Sequence, residues 1–412
     1  MIFHLLLYLF ATATIGIAAP ANIASRAAFT HPGLLHNSAD LERVREHVQA
    51  GEQPWLAGYY KLGNSSYAQR GYVARPAATI CRGRTNKCKE NYSNAFRDFA
   101  ACYQHALRWK ISGDKGYADD AVAIINAWSS TLKTIDGSSD TALASGIYGY
   151  EFANCVELMR DYEGLTADNL AAAIGTLKNV FLPTSKLFLS SHWGNSVTHY
   201  WANWDLCNMA AVLSIGIVAD DLEVYNYALD YFYNGKGMGA IHNFLWVTYP
   251  DGTAQLEESG RDQGHAMLDL ALIQPFVAAA ANQGVDLWAY DDNLILKGAE
   301  YAAKYNLGNN VSYTPFITWK NGHREYYQPG ISPAGRGNVR PIWEMFYNEY
   351  VVKRGLKAPY VQQYAARVRS DGRGSEGGGG NYGGNSGGFD QLGFGTLLYS
   401  LPGTNATEEY SY

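Results

Sequence analysis

One short segment, QLEESGRDQGHAML, places six polar side chains within nine positions, more than a helix that only supports a core requires. Arg261 and His265 are four residues apart, so on a helix they lie on one face. Glu258 lies just before the first turn and near the same face. A carboxylate, a guanidinium and an imidazole then meet at a helix N-terminus, where the helix dipole favours an anion. The segment predicts one wall of a site for an acidic ligand; the alternative is an ion-pair network between neighbouring helices.

Other residues of this segment are expected to be structural. If the helix begins near Ser259, this serine caps it and Asp262 occupies the third helical position, which is a capping-box arrangement. Asp262 and Glu257 are therefore assigned to the helix terminus rather than to chemistry.

A second cluster lies in HYWANWDLCNM, where His199, Asn203 and Cys207 are spaced four apart on one helical face. Asn203 is surrounded in sequence by apolar and aromatic residues, and a buried amide needs partners. Those partners are either a neighbouring helix or the carboxyl group of a ligand. Asp205 is expected to cap or pair structurally, and His199 alone is more typical of a core residue than of a catalyst.

A third cluster, HREYYQPGISPAGRGNVRP, is predicted to be a loop. Loops on a rigid scaffold are where binding sites are built, and the alternative is an ordinary surface loop. Its candidate polar and aromatic residues are His323, Arg324, Tyr326, Tyr327, Arg336 and Arg340.

Composition narrows the class of ligand. The net charge is −6, so an acidic chain gains no long-range attraction to nucleic acid, which is excluded as a partner. Aromatic residues make up 14% of the chain, with 31 Tyr and 10 Trp. They either fill the core or line a cleft in which flat rings pack against sugar faces. No H-E-x-x-H, Walker A or EF-hand pattern occurs, so we expect no metal and no cofactor.

Apolar residues recur at helical spacing through most of the chain. Strand-like alternation is scarce, and VSYTPFITW is its best candidate. The predicted helices span 94–114, 115–132, 141–162, 167–182, 199–221, 221–234, 259–281, 291–306 and 340–354.

About ten antiparallel helices require a closed or stacked architecture. We predict an all-α fold, an α/α toroid formed by an incomplete barrel of helical hairpins, with long loops in the C-terminal third. An open solenoid is the alternative, but it would need polar terminal repeats that the sequence lacks. A glycine-rich run at 371–389 is followed by an apolar segment that we expect to dock back on a single domain spanning 19–412.

The N-terminus predicts secretion. Residues 1–18 combine an apolar run with small residues, as in a signal peptide, and no later stretch is expected to span a bilayer. Cys81 and Cys88 could close a local disulfide in a polar loop; two of the remaining three cysteines could also pair. We expect a secreted, extracellular monomer without a membrane partner. Four sequons offer glycan sites, at Asn64, Asn91, Asn310 and Asn405.

Several of these segments together resemble one family. ANWDLCNMAAVLSIGIVADD, QLEESGRDQGHAMLDLAL, NQGVDLWAYDDNLILKGAEYAAKYNLG and GRGNVRPIWEMFYNEYV are similar to successive blocks of the alginate-lyase-like polysaccharide lyases, and the closing NYGGNSGGFDQLGFGTL is also similar. The blocks run from about 94 to 398. The resemblance implies an α/α toroid with a substrate groove across one end, and cleavage of uronate polymers.

The resemblance also implies roles for individual residues. Asn203 corresponds to a residue that contacts the uronate carboxyl, while Arg261 and His265, with Glu258 beside them, correspond to groove residues. His199, Arg324, Tyr326 and Arg340 are added as substrate-binding candidates from the clusters above.

One departure concerns the family's acid/base tyrosine. YWANW is similar to the NNHxYWAxW stretch of better-known alginate lyases, but Ser196-Val197-Thr198 replace Asn-Asn-His, and His199 is one place out of register. In the family, the tyrosine follows an arginine at a fixed spacing. Counted from Arg261, that position is Leu268 in this sequence. The tyrosine must therefore come from elsewhere: we predict Tyr327, with Tyr326, Tyr305 and Tyr313 as alternatives.

The predicted activity is β-elimination at a 4-linked uronate. The substrate is either mannuronate-rich alginate or glucuronan. Asn203 and Arg261 would bind the carboxylate and His265 and a tyrosine would transfer protons. One alternative is an α/α-barrel glycoside hydrolase using two carboxylates, such as Glu258 and Asp205. Another is a non-catalytic carbohydrate-binding protein.

Overall fold

The computed structural model of the protein describes residues 28–86, 88–321, 323–382 and 388–402. The predicted signal peptide and the Asn405 sequon lie outside these residues, and the extent of the single domain stays a prediction. Helices dominate the described ranges, together with three two-stranded sheets.

The elements are numbered here in chain order. The helices are α1 (Ser38–Gln49), α2 (Trp55–Gly63), α3 (Ser93–Ser112), α4 (Lys115–Thr131), α5 (Thr141–Met159), α6 (Ala167–Thr176), α7 (Leu182–Ser191), α8 (Ala202–Val218), α9 (Leu222–Asn234), α10 (Ile241–Phe244), α11 (Gln263–Asn282), α12 (Tyr290–Asn306), α13 (Trp343–Phe346), α14 (Pro359–Asp371) and α15 (Gly395–Tyr399). A π-helical turn, Leu177–Phe181, joins α6 to α7, and another, Tyr347–Lys353, extends α13. The strands are β1 (Thr79–Arg82), β2 (Thr134–Gly137), β3 (Leu245–Thr248), β4 (Ala254–Leu256), β5 (Phe316–Lys320) and β6 (His323–Gln328).

Four helices form an inner layer, in which α3, α5, α8 and α11 pack side by side in that order. Almost every residue of α5, α8 and α11 is buried, which is why these segments are apolar on all sides. Gly146 of α5 permits the closest approach, because a Cβ there would lie 2.4 Å from Sγ of Cys207 in α8. The outer helices α4 and α9 pack on α3 and α8 and carry polar residues on their outward faces.

The ring closes through the terminal helices. On one side α11 packs on α12, α12 on α14, and α14 on α13. Then α13 contacts α15, α15 contacts α1 and α2, and α1 returns to α3. The architecture is therefore the predicted α/α toroid.

The predicted helices are present with small shifts at their ends, but the sequence pattern does not predict α1, α2, α7, α10, α14 or α15. The predicted cap is wrong: α11 begins at Gln263 with Asp262 as its N-cap, while Ser259 lies in a short 3₁₀ turn, Glu257–Gly260. The loop predicted around Tyr326 begins instead with strand β6, which pairs with β5 in a hairpin, and the strand-like VSYTPFITW contains β5 except for its last residue.

By length and composition α11 could cross a membrane, so the expectation that no such stretch exists is wrong for this helix. However, 83% of its apolar window is buried within the protein. Asp269 and Gln274 are among its buried residues. Its apolarity is that of a helix in the centre of the core.

Two disulfides cross-link the N-terminal half. Cys81–Cys88 closes the predicted polar loop, and Cys102–Cys155 joins α3 to α5. Cys207 is a free, buried thiol. The predicted local bridge is thus present, and two of the other three cysteines pair.

Candidate active site

The N-termini of α8 and α11 meet at one end of the toroid. The backbone N–H of Ala202 donates to Glu257 at 3.1 Å, and that of Asn203 donates to Glu258 at 3.0 Å. Two carboxyl groups that immediately precede α11 therefore cap α8, where the helix dipole favours negative charge. This contact explains why the sequence places both glutamates next to each other.

Glu258 holds Asn203 and Arg261 together. Its Oε1 accepts a hydrogen bond from Asn203 Nδ2 at 2.5 Å, and its Oε2 accepts one from Arg261 Nη1 at 2.6 Å. Glu258 is fully buried, whereas the Arg261 side chain is 27% exposed. Glu258 therefore cannot contact substrate directly as predicted, because both its oxygens are occupied inside the protein. It orients Asn203 and Arg261 instead.

Two further carboxyl groups, Glu257 and Asp269, lie in the same buried cluster. Burial raises the pKa of both groups well above its ordinary value, and the charge of Glu258 raises each further. Arg261 is the cation in contact with Glu258, whereas the raised pKa of Glu257 and of Asp269 disfavours the charged form of these two groups.

Asp262 positions His265 on the first turn of α11. Its Oδ1 accepts the backbone N–H of His265 at 2.9 Å, and its Oδ2 lies 2.6 Å from His265 Nδ1. Burial acts to raise the pKa of Asp262, but the hydrogen bonds from the ring and the backbone of His265 outweigh it and hold that pKa below its usual value. A proton on Nδ1 directed at Asp262 leaves the lone pair of Nε2 for a ligand.

The β5–β6 hairpin forms the facing wall. The ring centroid of Tyr326 lies 4.5 Å from that of Trp201, and Arg261 Cζ lies 5.0 Å from the Trp201 ring centroid. Burial and the neighbouring Glu325 raise the pKa of Tyr326, while Arg261 acts to lower it. Tyr326 therefore faces the Asn203–Arg261 side of the groove.

His199 belongs to this wall. Its Nδ1 lies 2.5 Å from Glu325 Oε1, and its ring is 6.2 Å from that of Tyr326. Lys320 donates to Asn195 at 2.8 Å and lies 3.9 Å from Glu325. Sequence reasoning missed Lys320 and Trp201; the tryptophan directly precedes Asn203's helix and could have been found as an aromatic beside a polar groove residue.

Tyr327 points away from this groove. It is 47% exposed, and Arg324 Cζ lies 4.9 Å from its ring on the outer face of the hairpin. A bulge between Ile317 and Trp319 sets two β6 residues against one of β5, and Thr318 there accepts the backbone N–H of Tyr326. Tyr326 thus replaces Tyr327 as the tyrosine next to Arg261.

The remaining candidates are engaged inside the protein. Arg340 is fully buried, pairs with Asp390 at 3.3 Å and donates to Gln391 at 2.7 Å, so it is not a surface ligand as expected. The Tyr313 hydroxyl packs against Gly260, directly before Arg261, but it donates to the backbone carbonyl of Gln328. Tyr305 lies beneath the guanidinium of Arg336.

Asp205 is structural, as expected. It is completely buried and lies 2.9 Å from both His192 Nε2 and the Tyr231 hydroxyl, which donates to it. The two-carboxylate arrangement of a hydrolase built on Glu258 and Asp205 therefore has neither group in the groove. Within the described ranges, no group of three or more His, Cys, Asp or Glu side chains could hold a metal ion.

The family match, together with the helical toroid, places this protein among the polysaccharide lyases. The chain belongs to the alginate lyase family, whose model matches residues 53–312. No protein of curated function matches it in sequence.

Two solved structures show the same fold. An alginate lyase from Bacteroides ovatus superposes with a TM-score of 0.57 at 12% identity, covering 90% of this chain and all of that one. The apo form of a histidine-to-alanine variant of alginate lyase A1-III, from Sphingomonas species A1, gives 0.54 at 14% identity, covering 92% and 98%. At these identities the likeness extends to the fold alone.

Proposed function

We propose that this polysaccharide lyase is secreted and cleaves a 4-linked uronate polymer, either mannuronate-rich alginate or glucuronan, by β-elimination. The observation that supports the proposal is a set of contacts at one end of the toroid: Asn203 and Arg261 meet on Glu258, and Arg261 and Tyr326 both lie against Trp201. His265 follows Arg261 by four residues and is held by Asp262. Two disulfides among the described residues fit an oxidising, extracellular setting.

Carboxylate neutralisation comes first. The C5 proton of a uronate is only weakly acidic while the adjacent carboxylate is charged. Arg261 presents N–H groups beyond the one given to Glu258, and the Asn203 amide is held beside it. Both groups stabilise the charge that develops on the carboxylate as an enediolate forms.

Proton transfer then completes the elimination. His265 Nε2 takes the C5 proton, the released electron pair forms the C4–C5 double bond, and the C4–O4 bond breaks. Tyr326 gives its hydroxyl proton to O4. A pKa raised above its usual value keeps Tyr326 protonated at neutral pH, which suits an acid, and the Asp262 contact prepares His265 as a base.

The products distinguish the proposal from its alternatives. The protein is incubated with polymannuronate, polyguluronate and glucuronan, and ultraviolet absorbance of the unsaturated uronate is followed beside reducing ends. A lyase produces both signals, a hydrolase produces reducing ends alone, and a carbohydrate-binding protein produces neither. The polymer with the highest kcat/KM is the substrate; absence of the chromophore with all three polymers contradicts the proposal.

A further inference from the structure

A second cation lies at the same end of the toroid, outside the reaction centre. Arg82 is the last residue of β1, which pairs in parallel with β2 and places Arg82 opposite Gly137. The β1–β2 pair stands over the N-termini of α3 and α5, and Tyr92 and Asp140 immediately precede these helices. This is the end at which α8 and α11 begin, because Tyr200, just before α8, is hydrogen-bonded to Ser139 beside Asp140.

Two tyrosines fix the Arg82 guanidinium. Its Nη1 donates to the Tyr148 hydroxyl at 3.0 Å, and its Cζ lies 5.1 Å and 5.6 Å from the ring centroids of Tyr92 and Tyr148. The two rings are nearly parallel, with an interplanar angle of 7°. The adjacent Cys81–Cys88 disulfide anchors the segment that carries the arginine.

Arg82 has no anionic partner in the described part of the chain. Its side chain is only partly exposed, yet no carboxylate of the described residues lies within ion-pair distance of it. Asp140 and Asp390 act on its charge from further away, and Asp390 contacts Arg340 instead. Glu151 is fully buried, and burial raises its pKa well above its ordinary value, which disfavours the charged form. A half-buried, unpaired guanidinium is costly unless it binds an anion.

The position of Arg82 connects it to the groove. Its charge acts on the thiol of Cys207, which lies one helical turn after Asn203 in α8. On its other side, ring contacts lead through Tyr148, Phe96 and Phe389 to Tyr67. A surface pocket continues there, lined by Tyr67, Tyr72, Arg75 and Arg97 among others. Cationic and aromatic groups thus extend across the end of the toroid.

We propose that Arg82 binds the carboxylate of a second uronate, one that neighbours the sugar held by Asn203 and Arg261. This inference rests on the proposed function and deepens it, because it makes the enzyme select chains with successive acidic sugars. Arg82 then makes substrate affinity depend on chain length and on the presence of successive acidic sugars. Tyr92, beside it, offers a surface for the sugar ring.

The test compares Arg82→Gln, Arg82→Lys and the matched control Arg84→Gln, an exposed arginine of the same loop. We expect Arg82→Gln to lower kcat/KM on the preferred polymer about 10- to 100-fold through KM, since one charged hydrogen-bonding contact is lost. If the second uronate lies on the side away from the cleaved bond, the shortest oligomer that is cleaved lacks it, and the rate on that oligomer should change less than about twofold. Arg82→Lys should recover part of the polymer affinity, and Arg84→Gln should resemble the wild type.

Two outcomes would overturn the proposal: unchanged KM in a folded Arg82→Gln protein, or an equal loss on polymer and on the shortest oligomer. If Arg82→Gln does not fold, Arg82→Lys decides by the same length dependence. If the wild type forms no unsaturated product at all, the proposed function fails separately. Calorimetric binding of polymannuronate to wild type and Arg82→Gln then still decides whether Arg82 holds a carboxylate.

Discussion

Tyr326 and Tyr327 are adjacent in sequence but lie on opposite faces of β6. Tyr326 packs on Trp201 next to Arg261, whereas Tyr327 is exposed beside Arg324. The sequence shows two candidate tyrosines at this position, and only the register of the hairpin separates them. Because a shift of one residue exchanges the faces of a strand, a bulge such as the one near Thr318 decides which tyrosine reaches the groove.

The first prediction uses this pair as its own control. Tyr326→Phe removes the proposed acid while keeping the ring on Trp201, so kcat should fall about 10²- to 10⁴-fold with little change in KM. Tyr327→Phe should remain within about threefold of the wild type. Initial rates of ultraviolet absorbance on the preferred polymer measure both variants, and a larger loss in Tyr327→Phe would reverse the assignment.

Asn203 is the subject of the second prediction. Asn203→Ala removes the amide that faces the uronate carboxyl, and we expect kcat to fall about 10²- to 10³-fold, as for the loss of one donor to a developing oxyanion. Asn208→Ala, at a buried asparagine of the same helix whose Nδ2 donates to the Trp204 carbonyl, is the matched control for stability loss. Comparable kcat values in the two variants would mean that Asn203 only supports the helix.

At the scale of elements, the start of α11 shows what a sequence pattern can and cannot decide. Both Ser259 and Asp262 are good capping residues followed by polar side chains, so either could begin the helix. In the structure the helix begins after Asp262, because Glu257–Gly260 form a 3₁₀ turn that brings Glu257 and Glu258 to the N-terminus of α8. That tertiary contact has no local signal in the sequence.

The cap links helix stability to pH. His265 holds the pKa of Asp262 below its unfolded value of about 3.9. The resulting stabilisation is therefore fully present above about pH 4 and is lost as the pH falls through the folded pKa. Asp262→Asn keeps a good N-cap but removes the charge. Asp262→Ala removes both, and it should lower the free energy of unfolding by about 1 kcal/mol more than Asp262→Asn does.

Urea denaturation at several pH values tests the third prediction. The difference in unfolding free energy between wild type and Asp262→Asn should have its full value above about pH 4 and should shrink as the pH falls further. A difference that is constant across this range would show that the His265 contact does not perturb Asp262. The same variant should lose activity, since an amide beside Nδ1 no longer fixes the histidine proton there.

At the scale of the whole molecule, the inner helices could be predicted and the ring closure could not. Continuous apolar character marks α5, α8 and α11 as core helices. The closure depends on α1, α14 and α15, which are short or amphipathic. Helix α14 packs on α12 and α13, and α15 joins α13 to α1, which lies more than 300 residues earlier in the chain. The role of Arg82 could not be predicted for the same reason. It is a lone arginine in a polar loop, and its position is fixed only by the tertiary contact with Tyr148, which lies on a later helix.

The two disulfides should stabilise this closed molecule unequally. In the chain-entropy model the stabilisation grows with loop length, so Cys102–Cys155, with a separation of 53 residues, should contribute about 4 kcal/mol and Cys81–Cys88, with a separation of 7, about 2.5 kcal/mol. Thermal and urea denaturation of the paired Cys→Ala variants measure this difference, with the reduced wild type as a reference.

Removal of the two disulfides should affect KM in the opposite order to stability. Cys81–Cys88 holds the loop that carries Arg82, so its removal should raise KM for the polymer more than removal of Cys102–Cys155, although it costs less stability. Cys102–Cys155 lies within the helix layers, away from the groove, and its loss should lower the melting temperature while KM at 25 °C stays near the wild-type value. If both variants changed KM in proportion to their loss of stability, the loop around Arg82 would have no separate part in binding the chain.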